Sequence, residues 1–173
     1  MLKFEIEILD KNSIDNAIKR MYKLQNRIYE IQRRFIKRSL EWIRDRANEL
    51  LKERVYNFPD TANVKDGWKI IEISKDIWQL VNENPLAGYI EFGVGLKGKL
   101  SQHKAASDVN YQYDINNHGE SGWNWYNEDL GVGMKGFTGY KGKSFLYDSF
   151  FEYQYNDINE MLLEELLKEG KLI

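Results

Sequence analysis

The sequence predicts an α+β fold, and three patterns carry that expectation. Helical periodicity runs unbroken from residue 13 to residue 56, two short β-patterned runs follow at residues 68–73 and 77–81, and a second helical stripe closes the chain. The expected architecture is an N-terminal strand, a long amphipathic helix, a small antiparallel sheet with a long Gly/aromatic-rich insertion at residues 95–143, and a C-terminal helix. At 173 residues the chain is expected to form a single domain, 1–173, with a real hydrophobic core.

Each element has a local reason. Leu2, Phe4, Ile6 and Ile8 alternate with Lys3, Glu5 and Glu7, the period of a half-buried strand. Ser13 is suited to cap the helix that follows, with Asp15 near its positive end. Ile14, Ala17, Met21, Leu24, Ile28, Ile31 and Phe35 keep three–four spacing, and the stripe then slips to Ile36, Leu40, Ile43, Ala47 and Leu50. No Gly or Pro precedes Pro59. A helix of that length would extend about 66 Å at ~1.5 Å per residue, so a bend near Ser39 or a projecting end is expected. Asp66-Gly67 marks a turn, Trp68–Ile73 and Ile77–Val81 suit a hairpin, and Asn84-Pro85 ends the second strand before a compact apolar turn of Leu86, Tyr89, Ile90 and Phe92. Ten of the thirteen glycines lie between Gly93 and Gly142, which suggests a glycine-hinged arm. Within it the pairs Tyr111/Tyr113 and Trp123/Trp125 sit two apart, as if facing each other across an aromatic hairpin. Leu146, Phe150, Phe151, Tyr155, Ile158, Leu162, Leu163 and Leu166 trace the last helical face.

Composition narrows the functional classes. There is no cysteine, so disulfides, thiolate metal sites and a cysteine nucleophile are excluded. No run approaches the roughly 18 apolar residues of a membrane span, and no signal pattern opens the chain, so a cytoplasmic site of action is expected. The net charge of −2 hides an asymmetry, because residues 13–56 carry twelve Lys/Arg against six Asp/Glu. Such a charge-split chain favours head-to-tail association or docking on a charged partner.

The motifs that invite chemistry are weak. Gly93-Val-Gly95-Leu-Lys-Gly98-Lys99 satisfies G-x-x-x-x-G-K, but Leu100 stands where a phosphate loop needs Ser or Thr. The near-copy Gly131-Val-Gly133-Met-Lys-Gly136 suggests paired loop hinges rather than a nucleotide cradle. His103 and His118, with Asp108, Asp114 and Glu120, are the only candidates for a zinc or general-base site, and surface histidines are the simpler expectation. Glu164 and Glu165 are expected to be solvated on the last helix. Arg33, Arg34, Lys37 and Arg38 form a basic patch that suits phosphates or an acidic protein neighbour, against a solvated face balanced by Glu30 and Glu41. Trp123, Trp125, Tyr126, Tyr111, Tyr113 and Tyr140 suit a protein interface, a packed core or stacking on sugar rings, in that order.

Several of these segments together form a recognisable series. Gly67-Trp68, Leu80-Val-Asn82, Ala87-Gly-Tyr-Ile-Glu91-Phe-Gly93, Gly122-Trp-Asn-Trp-Tyr126 and Gly142-Lys-Ser-Phe145-Leu-Tyr147 occur in the order and spacing that resembles the head–tail joining, or tail-completion, proteins of long-tailed bacteriophages. The resemblance covers most of the chain from Leu50 onward. It implies a virion structural protein of the neck, assembled in the host bacterial cytoplasm as a homo-oligomeric ring that contacts phage neck and tail proteins. It implies no enzymatic activity, no catalytic residue, no cofactor, no metal, no specific nucleic acid and no membrane. The assembly interface expected on this basis comprises Arg33, Arg34, Lys37, Arg38, Glu91, Phe92, Gly93, Tyr111, Tyr113, Trp123, Trp125, Tyr126 and Phe145. The alternatives are a carbohydrate- or cell-wall-binding module using the Trp/Tyr-rich loop 111–140, and an enzyme centred on His118.

Overall fold

Helix α1 runs without interruption over Lys11–Arg54 in a computed structural model that describes residues 11–55, 61–113, 123–127, 132–137, 139–154 and 158–170. Ser13 lies within this helix rather than at its cap. The expected strand at Leu2–Ile8 and His118 lie outside the described residues.

The remaining elements follow in chain order: α2 (Thr61–Asp66), β1 (Trp68–Ser74), β2 (Ile77–Asn82), α3 (Pro85–Phe92), β3 (Gly93–Val94), α4 (Gly95–Leu100), β4 (Trp123–Asn127), β5 (Val132–Phe137), β6 (Tyr140–Lys141), α5 (Phe145–Glu152) and α6 (Ile158–Gly170). The fold is mixed helix and strand, with a long N-terminal helix, small antiparallel sheets and a C-terminal helix. The chain divides into two compact units, between Ser39 and Leu40 and again between Asp157 and Ile158. The first division falls where the apolar stripe of α1 slips sideways.

In the unit formed by residues 40–157, β1 and β2 make the expected hairpin. Trp68 stands opposite Asn82 and Ile70 opposite Leu80, with an irregularity between Glu72 and Ser74. The apolar turn expected at Leu86–Phe92 is instead a helix. Asn84 caps it by accepting from the Leu86 amide at 2.9 Å, and Pro85 occupies the first turn, where its missing N–H costs nothing. The core gathers Ala47, Leu50 and Leu51 of α1 with Val55, Val64, Ala87, Ile90 and Phe145, and Trp68, Leu86 and Leu146 pack against it. Trp68 also donates from Nε1 to Asn48 Oδ1 at 2.8 Å, so its one polar atom is satisfied.

The expected aromatic hairpin is not formed as read. Trp123, Trp125 and Tyr126 lie in β4, whose partner is β5, with Trp125 opposite Met134 and Tyr126 opposite Gly133. Tyr111 and Tyr113 are not in a strand, because their polar groups are engaged elsewhere. The Tyr113 carbonyl accepts from Gly95 N at 2.7 Å, its hydroxyl accepts from His103 N at 2.9 Å, and the Tyr111 hydroxyl donates to Gly93 O at 2.9 Å. The first part of the expected arm is thereby folded onto α3. Gly93, Gly95, Gly98, His103, Ala106 and Tyr113 are all buried rather than hinge positions.

Candidate functional site

Several of the residues singled out by the sequence, among them Glu91, Phe92, Gly93, His103 and Phe145, gather at the end of α3. Gly93 turns the chain there at φ 87° and ψ 176°, a conformation essentially reserved for glycine, and its amide donates to Tyr89 O. The turn throws Glu91 inward until it is 5% exposed. Its carboxylate accepts from the amides of Leu146 at 2.8 Å and Tyr147 at 2.9 Å, two of the otherwise unpaired donors in the first turn of α5. Ser144 precedes that helix in a left-handed conformation and makes no side-chain cap. A carboxylate 55 residues upstream therefore does the work a local serine performs in most helices, and it adds a negative charge at the positive helix end.

The backbone around Glu91 is joined to the same segment. Lys143 N donates to Ile90 O at 2.8 Å and Ser144 N to Glu91 O at 3.2 Å. Arg54, the last residue of α1, donates from Nη1 to Lys143 O at 2.7 Å and to Asp148 Oδ2 at 2.6 Å, clasping the same helix start. Phe145 is 1% exposed beneath it and meets Trp68 edge-on at 6.2 Å.

His103 is buried beside Glu91, contrary to the surface position expected of it. Its Nδ1 accepts from Ala105 N at 3.1 Å, which leaves the neutral ring's hydrogen on Nε2. That atom stands 3.1 Å from Glu91 Oε1, although the N–H is not aligned for a good hydrogen bond. The ring packs edge-on against Phe92 at 4.7 Å and Tyr147 at 5.1 Å, and Tyr111 stacks on Phe92 at 4.6 Å. Burial pushes the Glu91 carboxyl above its ordinary range, against the opposing pull of the Leu146 and Tyr147 amides and of His103. Burial also raises the Tyr140 hydroxyl to about 12. Of the three acids named with the histidines, Asp108 is exposed, and Asp114 and Glu120 lie outside the described residues. Among the described residues no cluster of His, Asp and Glu is arranged to hold a metal ion.

The other unit brings together the basic patch and the paired acids. Arg38 Nη1 donates to Glu165 Oε1 at 2.6 Å and its Nη2 to Glu164 Oε2 at 3.1 Å, while Arg34 Nε reaches Glu165 Oε2 at 3.4 Å. Lys168 adds a bond to Glu165 Oε1 at 3.0 Å. Glu165, expected to be solvated, is instead 1% exposed. Although burial acts to raise its pKa, hydrogen bonds from Arg38, Lys168 and Arg34 hold it down at about 2. The Glu165 bond in turn raises the Arg38 guanidinium. Arg33 and Lys37 of the same patch are exposed.

This arrangement sets an acid response. A carboxyl whose folded pKa lies at about 2, below its ordinary 4.5, stabilises the fold above the ordinary value and loses that contribution as pH falls through the window between them. The full shift corresponds to about 3 kcal/mol, and solvent screening of the partly exposed Arg and Lys partners reduces it to roughly 1–2 kcal/mol. Wild-type protein is expected to lose unfolding free energy between pH 4.5 and about 2 by more than Glu165→Gln does. Parallel urea-unfolding curves for the two proteins across that range would refute the assignment.

The expected interface residues thus fall into different places. Glu91, Gly93, Tyr113 and Phe145 are buried in the 40–157 unit, Phe92 is half-buried against His103, and Tyr111 is half-buried on Phe92. Arg34 and Arg38 are bonded to α6, and Trp123, Trp125 and Tyr126 lie in β4. Sequence reasoning missed the roles of His103 and Glu165. A signal for Glu165 did exist. It falls in three–four register with Ile158, Met161 and Leu162, an apolar position that only a paired acid can occupy.

No protein-family model, no curated protein and no solved structure matches this chain. Among the described residues no helix is long and apolar enough to cross a membrane.

Proposed function

We propose that this chain is a tail-completion, or head–tail joining, component that assembles as a ring in the neck of a long-tailed bacteriophage. One observation carries the proposal. Glu91, Gly93, Gly142 and Phe145, which anchor the resemblance to that family, all lie at the junction of α3 and α5, where the Glu91 carboxylate accepts from the Leu146 and Tyr147 amides and Gly93 and Gly142 bring the two backbones close together. A sequence pattern that gathers at one joint of the fold supports this reading better than scattered surface positions would. Trp68 and Asn82, from the same pattern, lie in the adjoining hairpin: Trp68 packs on Phe145, and Asn82 donates from Nδ2 to Val64 O at 2.6 Å. The functional surfaces on this reading are those that the junction does not consume.

Mass spectrometry of gradient-purified phage particles from a host carrying this gene tests the role. A few copies per intact particle, alongside portal and tail proteins, is the expected result. Absence from particles, with the protein left in the soluble fraction, would overturn it.

A further inference from the structure

Among its described residues, the unit formed by the first half of α1 and by α6 has almost no apolar interior of its own. Among its described residues the only buried apolar side chain is Ala17, and the other two buried side chains are Ser39 and Glu165. Ion pairs hold the two helices together, while large apolar side chains face solvent on both. On α1 these are Ile14, Ile18, Met21, Tyr22 and Ile28; on α6 they are Leu162, Leu163, Leu166 and Leu167, all between 37% and 64% exposed. Soluble proteins leave single apolar residues exposed as a matter of course, but exposed apolar patches of this extent mark a contact surface.

The spacing describes that surface. Ile14, Ile18, Met21 and Ile28 fall at spacings of four, three and seven, interrupted by Gln25, close to the seam of a helix that packs along another helix. Ala17, Leu24, Ile31 and Arg38 recur every seven residues on a neighbouring stripe, and Arg38 is the one that meets α6. α1 therefore carries two adjacent stripes, and only one of them contributes to the ion pairs with its own α6. On α6 the exposed leucines lie at i, i+1, i+4 and i+5, a broad apolar band beside the face that buries Glu165.

Charge identifies the occupant. Residues 11–39 carry nine Lys/Arg against two Asp/Glu, while α6 carries four Glu against one Lys. A second α1 on the α1 stripe would bring like charges together, and so would a second α6 on the leucine band. The opposite pairing brings unlike charges together and repeats the Arg–Glu chemistry already present within one chain. We propose that the exposed Ile/Met stripe of α1 is covered by the leucine band of α6 from a second copy of this chain. The contact joins two different surfaces, so it is heterologous and propagates into a ring or filament rather than stopping at a symmetric dimer. This inference names the ring contact that the neck role requires and in that respect rests on it. Its test uses purified protein alone, so absence from particles and absence of self-association are separate failures.

The test is light scattering after size exclusion, on the full chain and two double variants. Wild type is expected to self-associate at about 100 µM, more weakly as salt increases. Ile18→Glu with Met21→Glu, and Leu163→Lys with Leu167→Lys, should each weaken association at least about tenfold while keeping wild-type helicity. An equimolar mixture of the two variants should recover association, because one supplies an intact leucine band and the other an intact α1 stripe. A wild type that stays monomeric, a variant that associates normally, or a mixture that stays monomeric would overturn the proposal. If either pair unfolds the helices, Ile18→Ser and Leu163→Ser carry the same test.

Discussion

Replacing Glu91 by alanine is expected to lower the unfolding free energy by about 3 kcal/mol or more, and the melting temperature by roughly 6–12 °C. The size follows from what the carboxylate holds. Its loss strands the amides of Leu146 and Tyr147 in the first turn of α5 and removes the group facing His103 Nε2, in a place that water does not reach freely. Glu91→Gln keeps one acceptor and nearly the same volume, so it should lose about half as much or less. Thermal unfolding followed by circular dichroism separates the three proteins, and a Glu91→Ala midpoint within about 2 °C of wild type would show that α5 is not capped in this way. The pH response has the opposite sign to that of Glu165. Because burial raises Glu91, its titration favours the folded state at low pH, and that contribution is lost as pH rises through its raised folded value.

The second large effect is expected at the paired glycines. A methyl group on Gly93 would stand 2.5 Å from Gly142 N and 2.6 Å from Tyr140 O, at a backbone φ of 87° that L-residues rarely adopt. One on Gly142 would strike Glu91 O and approach Phe92 C to 2.6 Å. Every one of these obstacles is backbone, which has no rotamer by which to retreat. Gly93→Ala and Gly142→Ala should each destabilise by about 3 kcal/mol or more, through strain at the first and overlap at both. Gly88 provides the internal contrast. It lies in the middle of α3 with nothing within 4 Å of an added methyl, so Gly88→Ala should stabilise by about 0.5–1 kcal/mol. Urea denaturation of the three variants measures this directly. Three similar midpoints would refute the close packing at the Gly93–Gly142 junction.

Local chemistry accounts for what was legible in advance. The helix of α1 and the β1–β2 hairpin depend on periodicity and on the absence or presence of Gly, Pro and turn residues, all of which act within a few positions. The Asn84-Pro85 boundary was equally readable as the end of β2. What it began was misjudged, because an eight-residue apolar segment suits a turn and a short helix alike, and only packing of Ala87 and Ile90 into the core selects the helix. Tyr111 and Tyr113 show the limit of two-residue spacing. Alternation fits a strand, but a strand needs a partner edge, and their hydrogen-bonding groups are taken by Gly93, Gly95 and His103.

The sequence by itself therefore determined the mixed helix-and-strand class, the long charge-split helix, the β1–β2 hairpin and the list of residues worth watching, because each of these is written in neighbouring positions. Only the tertiary structure decided what those residues do. Glu91 became the cap of α5 rather than a surface acid, since Gly93 and Gly142 let two distant backbones approach within the width of a methyl group. Glu165 became a buried ion-pair partner rather than a solvated one, since Arg34 and Arg38 stand across from it. Pairings across 55 or 127 residues depend on where the chain returns to itself, and no local pattern carries that information.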